Sequence, residues 1–124
     1  MGRVGNIFAG VRPLEGTEEF DTLLSATFGP GGRLRLERIV SHGVCGGEWY
    51  DQAWDEWVMV ARGTATLEWA DGSTVELHAG DHLQIEPHRV HRVARTSEDC
   101  VWIALHWDGL ERSESLDGGG GGGK

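Results

Sequence analysis

Glu48–Trp69 reads EWYDQAWDEWVMVARGTATLEW, and it holds two strand-like runs, EWVMVA and TATLEW, joined through Gly63. Both runs are rich in β-branched and aromatic residues and are bounded by a turn-forming glycine, which reads as consecutive β-strands. Ahead of them stand polar side chains that could furnish a site. Alternation along an extended chain puts Tyr50 and Gln52 on one face and Trp49 and Asp51 on the other. On the next strand Glu56, Val58 and Val60 share a face.

Outward from this stretch the pattern stays β. Asp71–Gly72 is a hairpin signal between TATLEW and TVELH. The AGD turn at Ala79–Asp81 precedes HLQI, Pro87 marks a break, HRVARTS follows, and CVWIALHW makes a strong last strand. Upstream, RLRLERIVSH alternates so that Leu34, Leu36, Arg38, Val40 and His42 fall on one face. That face is expected to point inward, because the other carries Arg33, Arg35 and Glu37. Short strands at this spacing predict a sandwich or barrel. In TEEFDTLLSA, Thr17 suits an N-cap, Glu18 and Glu19 suit a first helical turn, and Phe20, Leu23 and Leu24 share a side. This predicts a short amphipathic helix before the barrel. GPGG at Gly29–Gly32 then interrupts the chain.

The expected organisation is a lead-in with a short helix over 1–32, a barrel over 33–112, and a flexible glycine-rich tail over 113–124. With 124 residues, one domain is the natural count. The net charge of −9 argues against nucleic acid and against anionic membrane surfaces, since no basic field exists to meet phosphates. No apolar run is long enough to span a bilayer, and no secretory pattern opens the chain. Cys45 and Cys100 are therefore expected to be reduced thiols in a cytoplasmic protein. There is no G-x-S-x-G, no P-loop and no Rossmann glycine signature.

Two segments carry a family resemblance. EWVMVARG at Glu56–Gly63 and GDHLQIEPHRVHRV at Gly80–Val93 resemble the paired motifs of a small cupin, G-x5-H-x-H-x3-E-x6-G and G-x5-P-x-G-x2-H-x3-N. Glu56, Gly63, Gly80 and His91 fall in register with them. The chain departs from the pattern elsewhere. The two histidine slots of the first motif hold Tyr50 and Gln52. The proline, glycine and asparagine slots of the second hold Glu86, His88 and Arg95. The chain looks most like a cupin subgroup marked by WYDQ…DEWV and H-x-x-H-R-V. The resemblance spans residues 33–107. It implies an all-β double-stranded β-helix, or jelly-roll barrel, of six to eight strands. It also implies a homodimer, which an exposed edge strand in the N-terminal segment would favour.

The resemblance and the strand parity together make Gln52, Glu56 and His91 the expected holders of a divalent iron, manganese, nickel or zinc ion, with His88 as a further imidazole. A metal-free barrel in which these groups hydrogen-bond one another is the alternative. His42 and Tyr50 are the candidates for proton transfer, because an imidazole titrates near neutrality. Arg38 is the candidate clamp for a substrate carboxylate or phosphate. His106, on the face of Trp102 and Ala104, is a second substrate-binding candidate at the barrel mouth. His78 and His82 flank the AGD turn and are expected to face solvent. The function expected is a small metalloenzyme acting on a polar organic molecule, as isomerase, lyase, dehydratase or dioxygenase. A non-catalytic ligand-binding cupin and a metal-free acid–base enzyme using His42, Tyr50 and Glu56 are the alternatives.

Overall fold

The computed structural model describes residues 3–11 and 16–110, so the tail read over 113–124 lies outside the described residues. Eight strands follow one another: β1 (Glu18–Phe28), β2 (Gly32–Ser41), β3 (Asp55–Arg62), β4 (Thr64–Trp69), β5 (Thr74–His78), β6 (His82–Ile85), β7 (His91–Thr96) and β8 (Cys100–Asp108). They form a five-stranded sheet in the order β1-β2-β8-β3-β6 and a three-stranded sheet in the order β5-β4-β7. The apolar core fills the space between the sheets, with Ile39, Val58, Leu67, Ile85 and Trp102 among its buried members.

The N-terminal helix expected from TEEFDTLLSA is not formed. That segment is strand β1, paired antiparallel with β2 from Glu18↔Ser41 to Phe28↔Gly32, with a bulge between Thr22 and Leu24. An isolated helix of this length is marginal in water. Pairing along β2 gives this segment long-range backbone hydrogen-bond partners on either side of the bulge, and that gain overrides a local capping signal. Gly29 and Gly31 adopt φ of +51° and +85° in the connecting turn, a conformation open to glycine. β1 is an edge strand, and Phe20, Leu23, Leu24 and Phe28 are each about half exposed along it.

The expected orientation of β2 is also corrected. Arg35, Glu37 and Ile39 point between the sheets, because they pair with His106, Ala104 and Trp102 of β8, which face inward. The Leu34, Leu36, Arg38, Val40 and His42 face is the outer one. It is apolar because it too is partly covered: Val40 and its partner Val101 are fully buried there. Arg38 ties down a crossing N-terminal segment by donating to the carbonyls of Ile7 and Ala9. With both faces of β2 partly covered, polarity does not reveal which one meets the core.

Gly63 has φ of +88° at the turn from β3 to β4. A Cβ at this position would collide with Ser97 Oγ and come within 3.0 Å of Cys100 Cα. Backbone conformation and close approach thus both account for the glycine.

Candidate active site between the two sheets

A cavity of about 450 Å³ opens between the sheets beside β1. Its floor is apolar, made by Ile39, Val58, Leu67, Ile85, Val93 and Trp102. Its polar side gathers Glu37 from β2, Tyr50 and Gln52 from the segment before β3, Glu56 from β3, His91 from β7 and His106 from β8.

Each polar residue is held by backbone structure. Tyr50 and His91 form an isolated antiparallel bridge with hydrogen bonds of 2.7 and 3.1 Å in the two directions. The next link is His88 N–H donating to the Gln52 carbonyl at 2.7 Å. These contacts seat the segment before β3 against the start of β7. Gln52 Nε2 then donates to Glu56 Oε1 at 2.8 Å.

The hydrogen-bond pattern sets the two imidazoles' protons. His91 is buried, and its Nδ1 lies 2.7 Å from the Arg89 carbonyl, which can only accept. Nδ1 therefore carries a proton, and in the neutral ring Nε2 is the acceptor nitrogen. His106 has the opposite tautomer. Trp54 Nε1–H, a donor only, reaches His106 Nδ1 at 2.9 Å, so Nδ1 accepts and Nε2–H donates to Glu37 Oε1 at 2.8 Å. Glu56 Oε2 lies 3.9 Å from the same nitrogen. The cavity is acidic, since Glu18, Glu37 and Glu56 line it against one arginine, Arg35. Tyr50 registers that field. Burial first, and then Glu18, Glu48, Glu56 and Glu37, push its phenol above the usual value of 10.0, so it keeps its proton.

The structure thus brings five of the eight sequence candidates to one cavity: Tyr50, Gln52, Glu56, His91 and His106. Three lie elsewhere. His88 is exposed and pairs with Asp51 at 2.8 Å, and its backbone has φ of +63°. It therefore adopts the left-handed conformation of the motif's glycine slot, with its ring held by Asp51. Arg38 is on the outer face, donating from Nη2 and Nε to the same Asp21 oxygen, Oδ2, at 2.7 and 3.0 Å, as well as to the carbonyls of Ile7 and Ala9. His42 is almost fully buried on that same side, with Nδ1 at 3.1 Å from the Glu98 carbonyl and Nε2 3.7 Å from Glu19. His78 and His82 are exposed. Sequence reasoning missed Glu37, Arg35 and Trp54. The first two were placed on the wrong face of β2. Nothing in the local pattern around Trp54 signals an indole aimed at a residue 52 positions away.

The donor set does not fit a resident transition metal. Both nitrogens of His106 are committed, and Gln52 and Glu56 are bonded to each other. Tyr50 holds its proton, and His88 is outside the cavity. This leaves His91 Nε2 and one carboxylate as strong ligands, with the Gln52 amide oxygen a weak third. Catalytic zinc-type sites use three strong protein ligands. Among the described residues no group of three His, Cys, Asp or Glu side chains is arranged to hold a metal ion.

The comparisons with known proteins agree with this architecture. The family model for the cupin domain matches residues 36–106, more than half of the chain, and the protein belongs to the cupin family. Among solved structures, a Ralstonia eutropha JMP134 protein, provisionally described as a mannose-6-phosphate isomerase, is 40% identical. The match covers 86% of this chain and 99% of that one, with a TM-score of 0.74. KdgF from Halomonas sp. is 18% identical over 91% of this chain and 100% of that one, with a TM-score of 0.63. An RmlC-like cupin from Desulfovibrio desulfuricans is 11% identical over 86% and 96%, also at 0.63. The last two show the fold alone. No curated protein sequence matches the chain. No helix among the described residues is long and apolar enough to cross a membrane.

Proposed function

We propose that this cupin is an acid–base enzyme that moves a proton between neighbouring atoms of a small hydroxylated carbonyl compound, as an isomerase does. The observation that carries the reading is His91. It is a buried imidazole that lines a ligand-sized cavity and whose Nδ1–H is spent on a backbone carbonyl, which makes Nε2 the basic nitrogen of the neutral ring. The Ralstonia protein's provisional description as an isomerase supports the same reaction class.

In this reading His91 Nε2 takes the proton from the carbon beside the substrate carbonyl. The C–H pair becomes the new C=C bond, and the carbonyl π pair moves to oxygen. A bare enolate would sit against Glu37 and Glu56, so the acidic lining requires that oxygen gain a proton as carbon loses one. Tyr50 supplies it. The phenolate this leaves is offset by the imidazolium on His91, whose ring centroid is 5.9 Å from that of Tyr50. In the second half His91 returns its proton to the former carbonyl carbon, and Tyr50 recovers one from the adjoining hydroxyl. Glu37 and Glu56 accept hydrogen bonds from substrate hydroxyls, and the Trp54–His106 pair holds Glu37 in place.

The test is proton exchange in D₂O, followed by NMR, with D-mannose 6-phosphate and D-mannose as probes. Incorporation of deuterium at the carbon beside the carbonyl, lost in His91→Ala, is the expected result. Ligand binding without any exchange or turnover would instead mark a binding module and overturn the proposal.

A further inference from the structure

A second cavity, of about 530 Å³, adjoins the first at the end of the β1–β2–β8 sheet, where residues of the inner face (Ser25, Thr27, Arg33, Arg35) and of the outer face (Leu34, Trp107) both line it, and Arg35 and His106 line both cavities. Its composition is the reverse of the first. Arg33 and Arg35 face one carboxylate, Asp108, whereas in the first cavity Arg35 faces Glu18, Glu37 and Glu56. The strand register places hydroxyls against both arginines, with Ser25 directly across from Arg35 and Thr27 directly across from Arg33. Residues two apart on a strand are spaced by about 7 Å, and directly paired side chains across strands by about 5 Å. The register therefore brings two arginines and two hydroxyl residues to the same end of the strand pair, with the Arg33 side chain 72% and the Arg35 side chain 44% exposed to an incoming anion.

These arginines are uncommitted in a way that Arg38 is not. The Arg35 guanidinium approaches Glu37 at 3.7 Å and Arg33 approaches Asp108 at 3.6 Å, both longer than a hydrogen bond. Neither pair consumes the planar fork of donors that suits carboxylate and phosphate oxygens. Trp54 and Trp107 also line this cavity and give it apolar walls.

We infer that the second cavity is an anion subsite, in which Arg33, Arg35, Ser25 and Thr27 bind a terminal phosphate or carboxylate of the substrate while its hydroxylated part occupies the first cavity. The inference rests on the reading above of a hydroxylated substrate and adds its charge. An anionic end is excluded from the first cavity by three carboxylates and is received on the far side of Arg35. The substrate class is a hydroxylated carbonyl compound with one anionic terminus.

The experiment is a titration of the full chain with inorganic phosphate, monitored by the NMR signals of the Ser25 and Thr27 amides and the Trp54 indole N–H. Saturable shifts at these three positions are expected. They should weaken about tenfold in Arg35→Gln and in Arg33→Gln, with thermal melting confirming the fold, and should not change in Arg62→Gln. D-glucose 6-phosphate and D-glucuronate then distinguish phosphate from carboxylate as the preferred terminus. Shifts that do not saturate below about 0.1 M phosphate, or that persist undiminished in both arginine variants, overturn the subsite. His91→Ala separates this from the catalytic reading: it should abolish exchange and leave phosphate binding intact. Phosphate binding that depends on Arg35 in a protein that exchanges no substrate proton would keep the subsite and discard the catalytic reading.

Discussion

The indole N–H of Trp54 donates to Nδ1 of His106 at 2.9 Å, so this nitrogen is the acceptor of the ring. The other nitrogen then serves Glu37. Replacing Trp54 by Phe keeps an aromatic ring but removes the donor, leaving a buried acceptor unpaired. The expected cost is about 1–2 kcal/mol of folding stability, read by urea denaturation. A structural role alone would give that loss too. The distinguishing readout is the ¹⁵N NMR of His106: the Nε2–H form, still held by Glu37, should persist, while the Nδ1 resonance shifts as its donor is lost. An unshifted Nδ1 resonance would show that Trp54 does not donate to it.

Tyr50 is the sole tyrosine of the chain, so the ultraviolet absorbance of phenolate reports on it alone. Its phenol is raised by burial and by Glu18, Glu48, Glu56 and Glu37, so its titration should lie above 10.0. Because the folded value exceeds the unfolded one, the neutral phenol is favoured in the folded state. The linked stability is whole below about pH 10 and falls as pH rises from the unfolded value through the folded one. Glu18→Gln should shift the absorbance midpoint downward. A midpoint at or below 10.0 in the wild-type protein would contradict the acidic cavity.

His42 and His91 should separate stability from activity. His42 is almost fully buried outside the cavity, so His42→Ala should cost about 2–4 kcal/mol by leaving a void, without changing proton exchange per folded molecule. His91→Gln should do the reverse, abolishing exchange with a smaller change in melting temperature. Exchange that fails in His42→Ala while the protein remains folded would restore His42 to the chemistry.

The thiols should differ. Cys45 is exposed, while burial pushes the Cys100 thiol up to about 12. A disulfide-exchange reagent at neutral pH should titrate one thiol in the folded protein and two after denaturation, since the thiolate is the reactive form. Rapid reaction of both in the native protein would rule out the buried placement of Cys100.

Metal content tests the donor set directly. Protein prepared without a chelating column should carry no stoichiometric divalent transition metal, and a strong chelator should leave proton exchange unchanged. One equivalent of metal per chain, lost in Glu56→Ala, would mean that Gln52 and Glu56 exchange their mutual hydrogen bond for ligation.

Much of the barrel was legible in the chain itself. Glu56, Gly63, Gly80 and His91 stand at family spacing, and the alternation of EWVMVA, TATLEW and CVWIALHW is local information that a strand's period of two converts directly into faces. The same parity brought Tyr50, Gln52, Glu56 and His91 to one cavity. Where two structural demands met in one segment, the pattern became ambiguous. Capping residues at Thr17–Glu19 argued for a helix, yet the partner strand that makes TEEFDTLLSA extended begins only at Gly32. On β2 both faces are partly covered, so the side carrying Leu34 and Leu36 looked like the core side, although the pairing with Trp102, Ala104 and His106 turns Arg35, Glu37 and Ile39 inward. The strand order and cross-strand register decided those points, together with the proton position on His106. These depend on contacts between residues far apart in sequence, such as Glu37 with His106 and Trp54 with His106, and no local period encodes a hydrogen bond between distant strands.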